Sequence, residues 1–441
     1  MIDLHMDRLL AAVQRSSGPE FRGEVARVSG GLIEATSLQA AMGEMARIQG
    51  EGIEPIEAEV VGFRDGRTLL MPHDDISGVA PRQQIRALGK SFEIGVGVDL
   101  LGRTVDGFGR PLDGGAGALV TDRRSVRADP PPALSRPHVD VPLQTGVRAI
   151  DGLTTLGRGQ RLGVFAGSGV GKSSLMGQIL GGTDADITVL CLVGERGREV
   201  RGFLDKTLSP EARNRTVCVC ATSDRSPIER YLAPFVALTI AEFFRDQSWD
   251  VLMVMDSITR FAQASREVAL SAGEAPVARG YPPSVFNELP KVLERVSASK
   301  ERPGSITGIF SVLVEGDDHN EPVSDCVRSV LDGHINLSKD IASLGRYPAI
   351  DILTSVSRVA DRALPDTSRE LAREARSLIS RFEDSRELRS IGAYQRGSDP
   401  ELDRAVALVP HIYELISRPG SLESGAGEEP FAQLSRILTA S

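Results

Sequence analysis

Phe165-Ala166-Gly167-Ser168-Gly169-Val170-Gly171-Lys172-Ser173-Ser174 is the stretch whose residue types and spacing can do chemistry, and that chemistry is on a phosphate. Glycines at 167, 169 and 171 allow backbone angles that side chains forbid, so successive N–H groups can turn inward on phosphate oxygens. Lys172, one of only six lysines, falls where its ammonium would reach β- and γ-phosphates, and the Ser173 hydroxyl falls where it would ligate Mg²⁺. Ala166 replaces the first glycine of the usual G-x-x-x-x-G-K-S. It is expected to end a strand, where a small side chain is tolerated.

Two carboxylates and an arginine extend this chemistry. Val251-Leu252-Met253-Val254-Met255 followed by Asp256 reads as a buried strand ending in a carboxylate that holds Mg²⁺ through water. Gly194-Glu195-Arg196 follows the apolar run Ile187 to Val193, 23 residues beyond Lys172, and Glu195 is the candidate to orient the attacking water. The alternative for Glu195 is a solvated charged turn. Arg358 lies far downstream, either as a finger offered to a neighbouring subunit's γ-phosphate or as one half of a structural salt bridge.

Positioning these groups requires particular elements. Arg161 to Phe165 is a strand-length apolar run before the glycine loop, and Leu175 to Leu180 can open a helix after it. Thr216 to Ala221 is a further strand-like run, and Tyr231 to Phe244 can be a helix. Strand and helix signals alternating in this way predict a mainly parallel, doubly wound sheet. Earlier, Glu24–Val28, Leu32–Ala35, Glu57–Phe63 and Thr68–Met71 are short strand-like runs punctuated by Gly30-Gly31, Gly52 and Asp65-Gly66, predicting a small β-barrel or sandwich. Ile2, Met6, Leu9 and Val13 mark one face of a short N-terminal helix, either packed on or docking to another protein. After Arg358 the chain is charged and helical, with Leu408, Ile412 and Ile416 on one face and Phe431 to Leu438 as a last short helix.

At 441 residues the chain is long enough for two or three domains, and 41% hydrophobic with 25% charged residues is ordinary for a globular protein. No apolar run approaches the ~20 residues that span a bilayer, and the first residues lack the basic region of a signal peptide. Cys191, Cys218, Cys220 and Cys326 have no zinc-like spacing, so buried thiols in a reducing compartment are expected. A net charge of −9 weighs against a nucleic-acid partner.

The order of these motifs resembles the catalytic family of rotary ATP synthases. It runs from Ala166–Ser173 through Gly194-Glu195-Arg196 and Asp256-Ser257-Ile258-Thr259-Arg260-Phe261 to Pro348-Ala349-Ile350-Asp351 and Ser355-Val356-Ser357-Arg358. Within that family, Arg279 to Phe286 and Val314 to Pro322 resemble the type III protein-export ATPases, and Asp317 to Pro322 with Ile391 to Pro400 look flagellar. The resemblance implies a fold of N-terminal β-barrel (21–95), RecA-like P-loop ATPase domain (96–360) and C-terminal helical domain (361–441), preceded by a docking helix (1–20). It implies a catalytic set of Lys172, Glu195, Arg196, Asp256 and the trans-acting finger Arg358, with Tyr347 stacked on adenine. It further implies a homohexamer in the cytoplasm at the inner-membrane face of the flagellar base, beneath the export gate. A stator-like regulator would dock on the N-terminal helix and a coiled-coil central stalk on the C-terminal domain. Unfolded flagellar subunits and their chaperones would be the cargo. The other readings are an injectisome ATPase, a RecA-like nucleic-acid motor, and a non-catalytic nucleotide-binding ring subunit. The nucleic-acid motor needs aromatic platforms that a chain with 5% aromatic residues does not display.

Overall fold

The computed structural model describes residues 22–50, 52–115, 121–300, 304–314, 321–417 and 430–439. The expected docking helix and the Asp317–Asn320 stretch lie outside the described residues. Two compact units emerge, Met1–Glu93 with Glu267–Ala275, and Ile94–Arg266 with Pro276–Ser441.

In the first unit, strands β1 (Arg22–Ser29), β2 (Leu32–Thr36), β3 (Glu44–Gln49), β4 (Ile56–Arg64), β5 (Arg67–Pro72) and β6 (Gln84–Ser91) close into a barrel in the order β1-β2-β5-β4-β3-β6. Every described pairing in it is antiparallel. Alternation points one side of each strand inward, so Val25, Ile33, Ala35, Ile48, Ala58, Leu70 and Ile85 fill the interior. Irregularities at Val25/Arg27, Glu44/Ala46 and Val60/Gly62 bend the strands enough to close the sheet. Two of the six strands, β3 and β6, are ones the sequence pattern does not announce. Arg47, Arg86 and Lys90 break up their apolar alternation.

The second unit is built on an eight-stranded sheet. Its order is Val356–Ser357, Gly333–Leu337, Arg161–Ala166, Ser305–Leu313, Asp250–Asp256, Ile187–Val193, Thr216–Ala221, Thr104–Val105. All neighbours are parallel except the edge strand Val356–Ser357. A parallel sheet is covered by helices on both faces, which is why its strands read as continuous apolar runs. Ile187–Val193 and Thr216–Ala221 are buried at every position. They carry Cys191, Cys218 and Cys220 as free thiols, whose pKa values burial pushes up, so they act as small core residues.

The C-terminal helices Asp366–Asp384, Pro400–Ser417 and Pro430–Thr439 pack on the short helix Arg148–Leu153. Leu378, Ile379, Leu408 and Ile412 share one continuous hydrophobic core with Leu153, Leu175, Leu337 and Ile350. A buried polar cluster sits elsewhere in the unit. Arg295, 1% exposed, donates to both carboxylate oxygens of Glu242 at 2.8 Å and to the Val126 carbonyl. Among the described residues, no helix is long and apolar enough to cross a membrane.

Candidate active site

The glycine loop leaves the carboxyl end of Arg161–Ala166, a strand held between Ser305–Leu313 and Gly333–Leu337. Leu162 and Val164 anchor it in the core. Phe165 faces the other side, where the Arg328 guanidinium covers its ring at 4.4 Å. Ala166 is the last strand residue, buried and regularly paired with Leu313 and Leu337, so the missing first glycine costs nothing there.

Gly169 and Gly171 have φ of +79° and +91°, the left-handed region that excludes most side chains. Gly167 is not among the positive-φ glycines, which corrects the expectation that all three supply unusual angles. Only the second and third of them have to reverse the chain ahead of the helix. That helix, Lys172–Gly182, starts at Gly171 with no side-chain cap and no acidic residue in its first turn. Its first N–H groups and its positive dipole end therefore stay open to an anion. By contrast, Ser226 caps the helix Pro227–Asp246 with its own side chain. Ser168, Ser173 and Ser174 are exposed at the loop, while Val170 is buried beneath it.

Lys172, Glu195 and Asp256 converge from three elements. The Lys172 ammonium pairs directly with Asp256 and lies 3.9 Å from Glu195 Oε1. Asp256 closes the strand Asp250–Asp256 and is 6% exposed. It also accepts a hydrogen bond from the buried Ser311 hydroxyl. Glu195 follows the strand Ile187–Val193 through Gly194, whose φ is +70°. The Glu195 pKa is raised, chiefly by burial and then by the Asp256 charge, with Lys172 pulling the other way. A half-buried carboxylate with raised basicity, beside a lysine aimed at the phosphate loop, can accept a proton from water.

The remaining predicted residues divide. Tyr347, 50% exposed, lies against the loop, so that a Cβ added at Gly171 would sit 3.5 Å from its ring. Arg196 is not brought to Lys172. It stands at the start of the helix Gly197–Thr207 with its side chain 67% exposed, 3.5 Å from Glu199. Arg358 is not brought there either. Its backbone N–H donates to the Asp332 carbonyl, and Asp332 pairs with Arg161 at the opposite end of the phosphate-loop strand. Five residue steps from Arg161 to Ala166 span about 16 Å, so Arg358 cannot serve its own loop. Its side chain is exposed and makes no ion pair among the described residues.

Two residues that sequence reasoning missed belong to the site. Ser311 lies on the strand between the two motif strands, where Gly308 and Ser311 interrupt the apolar run and conceal it. Arg260 packs beside the Glu195 turn, since a Cβ on Gly194 would come within 3.0 Å of its Cβ. Its Nε is buried without a hydrogen-bond partner among the described residues. Arg260 stood in the motif Asp256–Phe261, but nothing in the spacing gave it a role.

A central parallel sheet with this loop, a lysine at the helix start and two converging carboxylates defines a P-loop ATPase. A family model described as the ATP synthase alpha/beta family, nucleotide-binding domain, matches residues 146–357. A second, the T3SS EscN ATPase C-terminal domain, matches residues 364–421. The chain is 42% identical over 431 residues to a flagellum-specific ATP synthase of Bacillus subtilis (strain 168), covering 97% of this chain and 98% of the relative. It is 46% identical over 418 residues to an SPI-2 type 3 secretion system ATPase of Salmonella typhimurium, covering 95% of each. Its fold superposes with a TM-score of 0.86 at 42% identity on EscN, the assembled ATPase of the enteropathogenic E. coli type III secretion system, solved with its central stalk EscO. That match covers 94% of this chain and all of the other. The chain belongs to the ATP synthase alpha/beta family, in its branch of flagellum-specific ATP synthases and type III secretion ATPases, and it is a P-loop ATPase of type III export.

Proposed function

We propose that the chain works as a homohexameric ring whose ATP sites are each completed by a neighbour, and that it energises export of flagellar subunits. The observation that carries the shared site is the place of Arg358, exposed, free of ion pairs among the described residues, and a strand length away from its own Lys172.

Within one chain, the loop N–H groups and Lys172 bind the β- and γ-phosphates and Tyr347 offers a ring face to adenine. Glu195 holds the attacking water and takes its proton as the water oxygen bonds to the γ-phosphorus and the bridging P–O bond breaks, leaving ADP and phosphate. Arg260, beside Glu195, is placed to meet the departing phosphate's charge. Arg196, exposed at the outer rim of the turn, acts once a ligand or neighbour draws it in. Arg358 is delivered by the adjacent subunit to the charge that develops on the γ-phosphate. Ser173 and Asp256 supply hard oxygen donors of the kind Mg²⁺ takes alongside phosphate oxygens and water. Ser173 is exposed at the loop and Asp256 pairs with the loop's Lys172, so the two oxygens fit that role. When bound there, Mg²⁺ would neutralise phosphate charge.

Beyond the site, the C-terminal helical layer is the face we assign to a coiled-coil stalk, supported by the stalk named with EscN. The N-terminal segment is assigned to a stator-like regulator. The export gate, chaperones and unfolded subunits complete the partners, at the cytoplasmic face of the inner membrane. Ile391 to Pro400 favours the flagellar over the injectisome assignment.

The test is subunit mixing. Lys172→Ala and Arg358→Ala should each be nearly inactive alone. In an equal mixture, roughly one interface in four pairs an intact loop with an intact finger, so activity should return toward a quarter of wild type and rise with protein concentration. No return, with subunit exchange verified independently, would refute the shared site.

A further inference from the structure

We propose that Arg376 is a positioning residue for the Arg358 finger, tying the C-terminal helical layer to the segment that carries it. The proposal rests on the shared-site reading above and assigns a role to a residue that touches neither nucleotide nor phosphate.

Arg376 lies on the helix Asp366–Asp384, half-buried. Its Nη2 donates to the Ser355 carbonyl at 3.0 Å and its Nη1 to the Leu153 carbonyl at 3.3 Å. Among the described residues it has no ion-pair partner. Burial lowers its pKa, and the Asp351 charge offsets that only in part. A guanidinium withdrawn from water toward two neutral carbonyls is a poor source of stability. Its donors instead define geometry, because the planar fork fixes two backbone oxygens relative to each other.

One of those oxygens, that of Ser355, opens the finger segment, and the other ends the helix Arg148–Leu153. Ser355, fully buried, also donates through its hydroxyl to the Asp351 carbonyl and accepts from the Asn336 N–H. Two residues on, the Ser357 hydroxyl accepts from Nε2 of Gln160, itself fully buried at the foot of the phosphate-loop strand. The Arg358 N–H is held by the Asp332 carbonyl. The backbone from 355 to 358 is thus fastened from one side by the sheet and from the other by Arg376.

Arg358 lines a cavity of about 300 Å³ together with Leu153, Thr154, Asp361, Arg373 and Arg376. The other arginines there are committed. Arg373 pairs with Asp361, and Arg369 pairs with Asp366 and donates to the Asp361 carbonyl. Of the arginines lining this cavity, Arg358 alone has no side-chain partner among the described residues. A displacement of the C-terminal helices would reach it through Arg376.

The test assigns Arg376 to a complementation group. Arg376→Gln should lower kcat by roughly 10–100-fold, the cost of misplacing a reacting group by about 1 Å. KM for ATP should stay within about threefold, because the variant's own loop is intact. Mixed with Lys172→Ala, it should regain activity, since the Lys172→Ala subunit supplies a sound finger. Mixed with Arg358→Ala, it should regain none, since neither subunit has one. The opposite pattern would place Arg376 in its own subunit's site and overturn the proposal, as would recovery in neither mixture or an Arg376→Gln enzyme within threefold of wild type. Arg376→Lys, which keeps the charge and one donor, should fall between and behave identically in the mixtures. It stands in where the glutamine variant does not fold. The Lys172→Ala with Arg358→Ala mixture is the control. Its failure would refute the trans finger itself, separately from the role of Arg376.

Discussion

Replacing Glu195 by Gln removes a charge and a proton acceptor while keeping nearly the same shape. In the structure Glu195 sits 3.9 Å from Lys172 and close enough to Asp256 for that charge to raise its pKa. Lys172 has a second and closer carboxylate in Asp256, so the substitution leaves no buried cation unpaired. Folding should therefore be unharmed. A carboxylate whose folded pKa is raised costs stability once ionised, fully so above the folded value, and that cost disappears as pH falls below the unfolded value. At neutral pH the Glu195→Gln variant should melt at the same temperature as wild type or slightly higher. Turnover should move the other way. Loss of a positioned base removes roughly 10²–10⁴ in rate, or about 3–5 kcal/mol of transition-state stabilisation. Two readouts check this, steady-state phosphate release and binding of a fluorescent ATP analogue, with binding preserved as kcat collapses. In the wild type, the acid limb of the kcat/KM profile, which reports the free enzyme, should lie above the ordinary carboxylate value of 4.5, because activity is lost as pH falls through the raised pKa. A Glu195→Gln enzyme keeping more than a tenth of wild-type kcat would refute the base assignment. So would a wild-type acid limb at or below 4.5.

Three further outcomes follow from particular contacts. Ser311→Ala strips Asp256 of its buried hydroxyl donor; removing a hydrogen bond to a charged group should cost about 1.5–3 kcal/mol, read as a lower urea midpoint together with a raised KM for ATP. Arg295→Met leaves the Glu242 carboxylate buried without its fork. It should destabilise by about 3–5 kcal/mol, and the Arg295→Met/Glu242→Leu double variant should be more stable than the single one in the same denaturation assay. Gly146→Ala places a Cβ 2.6 Å from the Gly182 Cα at a residue with φ of +72°. Strain and overpacking together should cost roughly 2–4 kcal/mol, measured as a drop in the thermal midpoint.

What was legible in the sequence was whatever is written in consecutive residues. The phosphate loop, the strand ending at Asp256 and the turn at Glu195 each announce themselves because one backbone segment both forms the element and presents the group. The loop's neighbour in the sheet, Ser305–Leu313, did not. A central strand flanked on both sides tolerates Gly308 and Ser311, since pairing rather than side-chain alternation holds it. Arg260 was equally hidden, because only the folded turn at Gly194 brings it beside Glu195. Arg358 shows the limit most clearly. Spacing left a salt bridge and a trans finger open. Neither reading could be placed in the sheet from spacing alone, because the position of Arg358 follows from the antiparallel edge pairing of Gly333 with Ser357 and of His334 with Val356. The chain already runs antiparallel at Ile350, which bridges Leu337, and from there it carries Ser357 away from the loop. The loop thus lies at one end of the sheet and Arg358 at the other. In the ring proposed above, that separation is what lets a neighbour's Arg358, rather than the chain's own, meet each loop.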